Sequence, residues 1–139
     1  MKKFTIKGQP QGKGRVRVAK IGKFAHAYTP EKTVIYENLI KMSYENAYEQ
    51  DSQNVSPLSV HIKAFYKIPS MSKVKALKAL SGEIRPTVKP DCDNISKCIL
   101  DALNGIAYKD DNQVVELLIS KFYAEQPRVE VEIEEITNG

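Results

Sequence analysis

The sequence predicts one small α/β domain with about three helices, and three observations carry that reading. The chain is 139 residues long, 42% hydrophobic and 27% charged, the profile of a single globular domain spanning 1–139 that folds without disulfides or a structural metal. Leu58, Val60, Ile62, Ala64 and Tyr66 fall at period two, which marks a half-buried strand and cannot form one helical face. Ile95, Ile99, Ala102 and Leu103 share a helical face, behind cap candidates Asp93 and Asn94 and ahead of the stop Asn104-Gly105.

The remaining elements follow in chain order. Phe4 and Ile6 alternate with polar residues, and Val16 and Val18 alternate with Arg15 and Arg17. Two short strands are expected there, separated by the stretch punctuated by Gly8, Pro10, Gly12 and Gly14. Lys23 to Tyr28 reads as a third strand. Thr29-Pro30-Glu31 opens a helix with a side-chain cap, a preset φ and a negative charge at the positive end of the dipole. That helix is expected over 30–50, with Val34, Ile35, Leu39, Met42 and Ala47 as its buried stripe. After the period-two strand, Met71 to Leu80 forms a short basic amphipathic helix with Val74, Leu77 and Leu80 on one face. The proline-bearing stretch 85–90 is extended. Beyond the third helix come a polar turn at 108–112, a strand over 114–123, a turn at 125–127 and a strand over 128–136. Glu130, Glu132 and Glu134 then line a solvated face and protect an edge.

The net charge of +4 conceals segregation: residues 1–35 carry nine basic and one acidic side chain, 63–89 seven and one, and 110–139 two and eight. Basic stretches of this kind suit a polyanion, since neutralised phosphates release counterions; a merely solvated surface fits the charge equally well. The two cysteines, Cys92 and Cys98, have neither the spacing of a zinc site nor that of a disulfide framework, which points to a reducing, cytoplasmic setting. No run is long and apolar enough for a signal peptide or a membrane span, so no membrane partner is expected.

The chemistry concentrates in Asp91, Asp93, Asp101, Asp110 and Asp111. On an extended backbone Asp91 and Asp93 would point the same way, and two such carboxylates repel unless a cation such as Mg²⁺ or Mn²⁺ sits between them. Asp111, or less readily Asp110, is placed to return as a third ligand. Lys97, one helical turn past Asp93, would meet a phosphate oxygen at the rim, or be held in a structural pair by Asp101. A bland account fits the same spacing: Asp93 caps, Asp101 pairs, and Asp110-Asp111 form a turn. His26 and His61 stand alone, the Gly8-to-Gly14 stretch lacks phosphate-loop spacing, and the tyrosines and phenylalanines sit at core-like intervals.

Residues 89–114, KPDCDNISKCILDALNGIAYKDDNQV, resemble the signature of the RusA family of Holliday junction resolvases: DxDN, a lysine four residues after the second Asp, a DAL-type helix end and a DD-x-QV turn. GQPQGKGRVRV and the helix opened by Tyr28-Thr29-Pro30 are similar to the start of many family members. The resemblance implies a small α+β fold with a mixed β-sheet, a symmetric homodimer, and Mg²⁺-dependent nicking of four-way DNA junctions in recombination and repair, in a bacterial or phage-encoded, nucleoid-associated setting. By position, Asp91, Asp93 and Asp111 match the metal-binding and catalytic acids and Lys97 the catalytic lysine; Asp110 and Asn94 are second-tier candidates. Lys13, Arg15, Arg17, Arg85, Lys89 and Asn94 are the expected DNA contacts, with the basic run before Asp91 sparser than in the family. Two alternatives stay open: a structure-selective nuclease acting on flaps, forks or duplex, and a non-catalytic DNA-binding module.

Overall fold

The structure, a computed structural model, describes residues 1–137. Its scaffold is a mixed sheet of four strands: β1 (Lys2–Lys7), β4 (Leu58–Lys67), β5 (Val114–Ala124) and β6 (Arg128–Glu135), in the order β1-β6-β4-β5. β6 runs antiparallel to both β1 and β4, whereas β4 and β5 are parallel and joined by a long crossover. That crossover contains α2 (Lys73–Leu80), α3 (Cys92–Leu103) and a short 3₁₀ turn, Asp111–Gln113. The period-two residues of β4 are the centre of the fold: Leu58, Val60, Ile62, Ala64 and Tyr66 are all buried, with Val60, Ile62 and Ala64 in register with Ile133, Val131 and Val129 of β6. α1 (Glu31–Glu45) and α3 cover this apolar face, and Ile95, Ile99, Ala102 and Leu103 of α3 are buried as the pattern requires.

β2 (Arg17–Ile21) and β3 (Phe24–Tyr28) pair only with each other, in a hairpin turned at Gly22. Apart from a half-buried Ala19, every residue of this arm is exposed, including Val18, Ile21 and Phe24.

Several expectations are corrected. α1 buries Thr33, Tyr36, Ile40 and Tyr44, and leaves Val34, Ile35, Leu39, Met42 and Ala47 exposed. The three tyrosine and isoleucine side chains of that face recur at four-residue spacing and reach the sheet, with Phe4 edge-on to Tyr44 at 5.5 Å. The helix also ends near Glu45 rather than residue 50, and its cap position is Pro30 with no side-chain cap, so Thr29 does not perform that role. In α2 it is Ala79 that is buried, whereas Val74, Leu77 and Leu80 are exposed; Ser72 caps it by accepting the Lys75 N–H. The β6 glutamates protect no edge, because β6 lies inside the sheet. They occupy its second face, Glu132 beside the cross-strand partners Lys3 at 3.7 Å and His61 at 3.9 Å, and Glu130 beside Arg128 of its own strand at 2.8 Å.

Candidate active site

The site grows from the N-terminal end of α3. Asp91 keeps an extended backbone (φ −78°, ψ 166°) and is the N-cap: its carboxylate accepts the Asn94 N–H at 2.9 Å. The chain turns helical at Cys92, so the strand argument for aligning Asp91 with Asp93 stops there. Asp93 sits in the first helical turn, where the helix dipole favours negative charge. Asp93, Lys97 and Asp101 then follow at four-residue intervals along one exposed ridge of α3.

The chain leaves α3 through Asn104 and Gly105, whose φ of +78° is the left-handed conformation that a glycine adopts without a Cβ penalty. It returns through Tyr108, fully buried, whose hydroxyl donates to the Leu100 carbonyl at 2.7 Å. That bond ties the following turn to the last turn of α3. Asp110 caps the 3₁₀ turn in a reciprocal capping box with Gln113, whose amide in turn donates to the Ser56 carbonyl at 3.0 Å. Partial burial holds the Asp111 carboxyl above its ordinary range, and the hydrogen bond and repulsion from Asp110, with repulsion from Asp101, push it further. The carboxylates that act on one another are therefore Asp101, Asp110 and Asp111. Asp91 stands instead beside Tyr66, whose hydroxyl is raised first by burial and then by Cys92 and Asp91, and donates to the Pro90 carbonyl.

Hard carboxylate oxygens are the donors a divalent magnesium or manganese ion takes. Their disposition is another matter: among the described residues no three carboxylate, histidine or cysteine side chains are arranged to hold one metal ion together. Asp91, Asp93 and Asp111 are thus not gathered as a ligand set, one oxygen of Asp91 being engaged in capping.

The basic candidates divide. Arg15, Arg17, Lys89 and Lys97 are exposed. Arg85 is exposed too, but its guanidinium lies 3.9 Å from the Phe122 ring centroid and donates to the Lys121 carbonyl. Asn94 is half-buried, with its backbone bonded to Asp91 and Lys13. Lys13, expected at DNA, places its ammonium 2.9 Å from Glu37 and 3.2 Å from Asp101. Asp101 accordingly pairs with Lys13 rather than Lys97. Sequence reasoning missed this triad and the Tyr108 tie; the only signal for the triad is the pair of glycines flanking Lys13.

Two comparisons with known proteins place the chain in a family. A protein from Bacillus subtilis (strain 168), described as uncharacterized protein YqaN, is 40% identical over 138 residues, covering 97% of this chain and 96% of that protein. The family model described as endodeoxyribonuclease RusA matches residues 7–134, a span that takes in β2 and β3, the segment before them, α3 and the acidic turn. The chain belongs to the RusA family of endodeoxyribonucleases.

Proposed function

We propose that this protein resolves four-way DNA junctions by metal-dependent phosphodiester hydrolysis, acting as a homodimer in recombination and repair of bacterial or phage DNA. The observation that carries the reading is the family match over residues 7–134, taken with the acidic residues at the two ends of α3 and an exposed lysine between them. Asp91, Asp93 and Asp111, which the structure does not gather into one ligand set, are proposed to close around Mg²⁺, or Mn²⁺ as substitute; such an ion, when bound, would neutralise phosphate charge and supply a nucleophilic water. Lys97 faces the scissile phosphate and stabilises the charge that builds on it. Arg15 and Arg17 on the arm, with Lys89 before α3, hold the DNA backbone through charge.

A two-fold dimer sets two such centres against opposite strands, so that paired nicks open a junction symmetrically. The apolar surface left bare supports a second copy as partner. Ile35 is 61% exposed and Met42 59%, with Leu39 between them on one side of α1, and Phe24 at the tip of the arm is 80% exposed. A two-stranded hairpin standing alone is marginal in water and gains stability when covered.

The test is cleavage of a strand-labelled four-way junction beside a linear duplex of matched sequence at fixed salt, with Mg²⁺ and with EDTA. Nicks confined to the junction and lost in EDTA are the expected result. Equal cutting of the duplex points to a general nuclease, and binding without cutting to a non-catalytic module.

A further inference from the structure

The segment from Gly8 to Gly14 has no regular structure, yet almost every turn of it is fastened. The Gly8 N–H donates to the Pro127 carbonyl at 3.1 Å, and the Gln9 side chain accepts the Lys67 N–H at 3.1 Å at the end of β4. Pro10 is buried. The Lys13 N–H donates to the Asn94 carbonyl at 3.1 Å, and the Gly14 N–H to the Thr33 hydroxyl at 3.0 Å. The segment therefore crosses from the sheet over the first turn of α3 to the first turn of α1.

Its closeness depends on glycine. A Cβ at Gly12 would lie 2.8 Å from the Asn94 Cβ and 3.1 Å from the Pro90 Cβ; one at Gly14 would lie 2.5 Å from the Thr33 hydroxyl oxygen. Between these two approaches the Lys13 side chain, 25% exposed, runs in between the helices. Its ammonium bridges Glu37 of α1, itself 17% exposed, and Asp101 of α3. The two carboxylates hold that ammonium in between the helices, so drawing it out to a phosphate on the surface would break both pairs and leave Glu37 half-buried and unpaired.

We propose that Gln9–Gly14 is a strap and Lys13 its pin: a positioning residue, not a DNA contact, that fixes the basic arm beginning at Arg15 relative to the acidic end of α3. The inference rests on the nuclease reading for its effect on cleavage, and on the strap geometry alone for its effect on structure. The residue after the strap, Arg15, starts the exposed basic arm, and the residues beneath it, Pro90 and Asn94, flank Asp91 and Asp93. Loosening the strap therefore misplaces the DNA backbone against the acidic residues without removing any charge that holds DNA. A small misplacement of reacting groups slows a reaction far more than it weakens binding.

The experiment compares wild type with Lys13→Met, Lys13→Arg and Gly12→Ala. Lys13→Met keeps the stem that packs between the helices, and Gly12→Ala lifts the strap without altering charge. Hydrogen exchange is followed at the Lys13 and Gly14 amides, with β4 and β6 as internal reference. Junction binding is measured against salt, and junction cleavage at saturating enzyme. Expected for Lys13→Met and Gly12→Ala are exchange at the two strap amides faster by about tenfold or more, a salt slope equal to wild type, and cleavage slower by about tenfold to a hundredfold. Lys13→Arg, which keeps the charge, recovers most of the rate. A salt slope lower by about one in Lys13→Met makes the lysine a phosphate contact and overturns the proposal; so does unchanged exchange at the strap amides. If wild type fails to cut junctions, the nuclease reading falls, while the exchange data still decide whether the strap is pinned by Lys13.

Discussion

Replacing Tyr108 by Phe removes one oxygen from a fully buried side chain and nothing else. The loss is specific because of where the hydroxyl goes. Three of the last four carbonyls of α3 have named donors: Asp101 accepts the Asn104 N–H, Leu103 accepts Ile106 and Ala107, and Leu100 accepts the Tyr108 hydroxyl at 2.7 Å. Without that donor the Leu100 carbonyl is left unsatisfied beneath the turn, at a cost of about 1–2 kcal/mol. An unfolding entropy of roughly 2 cal/mol/K per residue gives this chain about 0.3 kcal/mol/K, so the melting temperature should fall by about 3–7 °C. The control is Tyr48→Phe, whose hydroxyl bonds the Lys3 backbone at an exposed position and should cost about half as much or less. Differential scanning calorimetry of the two variants at pH 7 reads both. The same bond holds the Asp110-Asp111 turn to α3, so Tyr108→Phe should also speed hydrogen exchange at Asn112 and Gln113. A Tyr108→Phe variant within 1 °C of wild type, or one no worse than Tyr48→Phe, refutes the reasoning.

Asp111 provides a pH test. Its carboxyl is raised above the ordinary 3.8 by burial and by Asp110 and Asp101, so the folded state binds that proton more tightly than the unfolded state. Stability from this group is accordingly lost as pH climbs from the ordinary value through the raised one, and the deficit persists at neutral pH. Asp111→Asn in EDTA should melt higher than wild type at pH 7, with the gap closing once the pH falls below the ordinary value of 3.8; an equal gap at both pH values contradicts the assignment. Lys97→Ala should slow junction cleavage by about a hundredfold while leaving junction affinity within about threefold, because its interaction grows in the transition state; equal losses in both would contradict that role. Ile35→Lys, on an exposed face of α1, should leave the melting of the monomer unchanged and shift the sedimenting species from dimer to monomer. A dimer that persists in Ile35→Lys places the interface elsewhere.

Much of the fold was legible because it rests on periodicity. β4 reads at period two since one face is core and the other faces solvent, and α3 reads at helical spacing for the same reason. The failures share one cause. Val34, Ile35, Leu39 and Met42 of α1, and Val74, Leu77 and Leu80 of α2, are as apolar as core residues but exposed, so hydrophobicity pointed to the wrong faces. Nor does a tyrosine at 36 or 44 announce that it outranks leucine as the buried member. The acidic cluster was legible as a set of residues, not as an arrangement. Asp91 turned out to cap a helix that begins at Cys92, before the extended backbone a strand argument needs can reach Asp93, and Asp101 took a partner 88 positions away in Lys13. Long-range pairs of that kind leave no local trace; Gly12 and Gly14 mark only that the backbone there comes close to something.

The most direct test of the central claim is a single comparison on one strand-labelled four-way junction: wild type against Asp93→Asn, both with Mg²⁺, scored for nicks and for binding. Asp93 is exposed in the first turn of α3, and Asn keeps its shape while removing its charge, so the fold and the DNA-holding arm are untouched. The account predicts paired, symmetric nicks with wild type, and none with the variant at unchanged or tighter junction binding. Asp93→Asn cutting at the wild-type rate, or wild type binding the junction without nicking it, would contradict the placement of hydrolysis at the acidic end of α3.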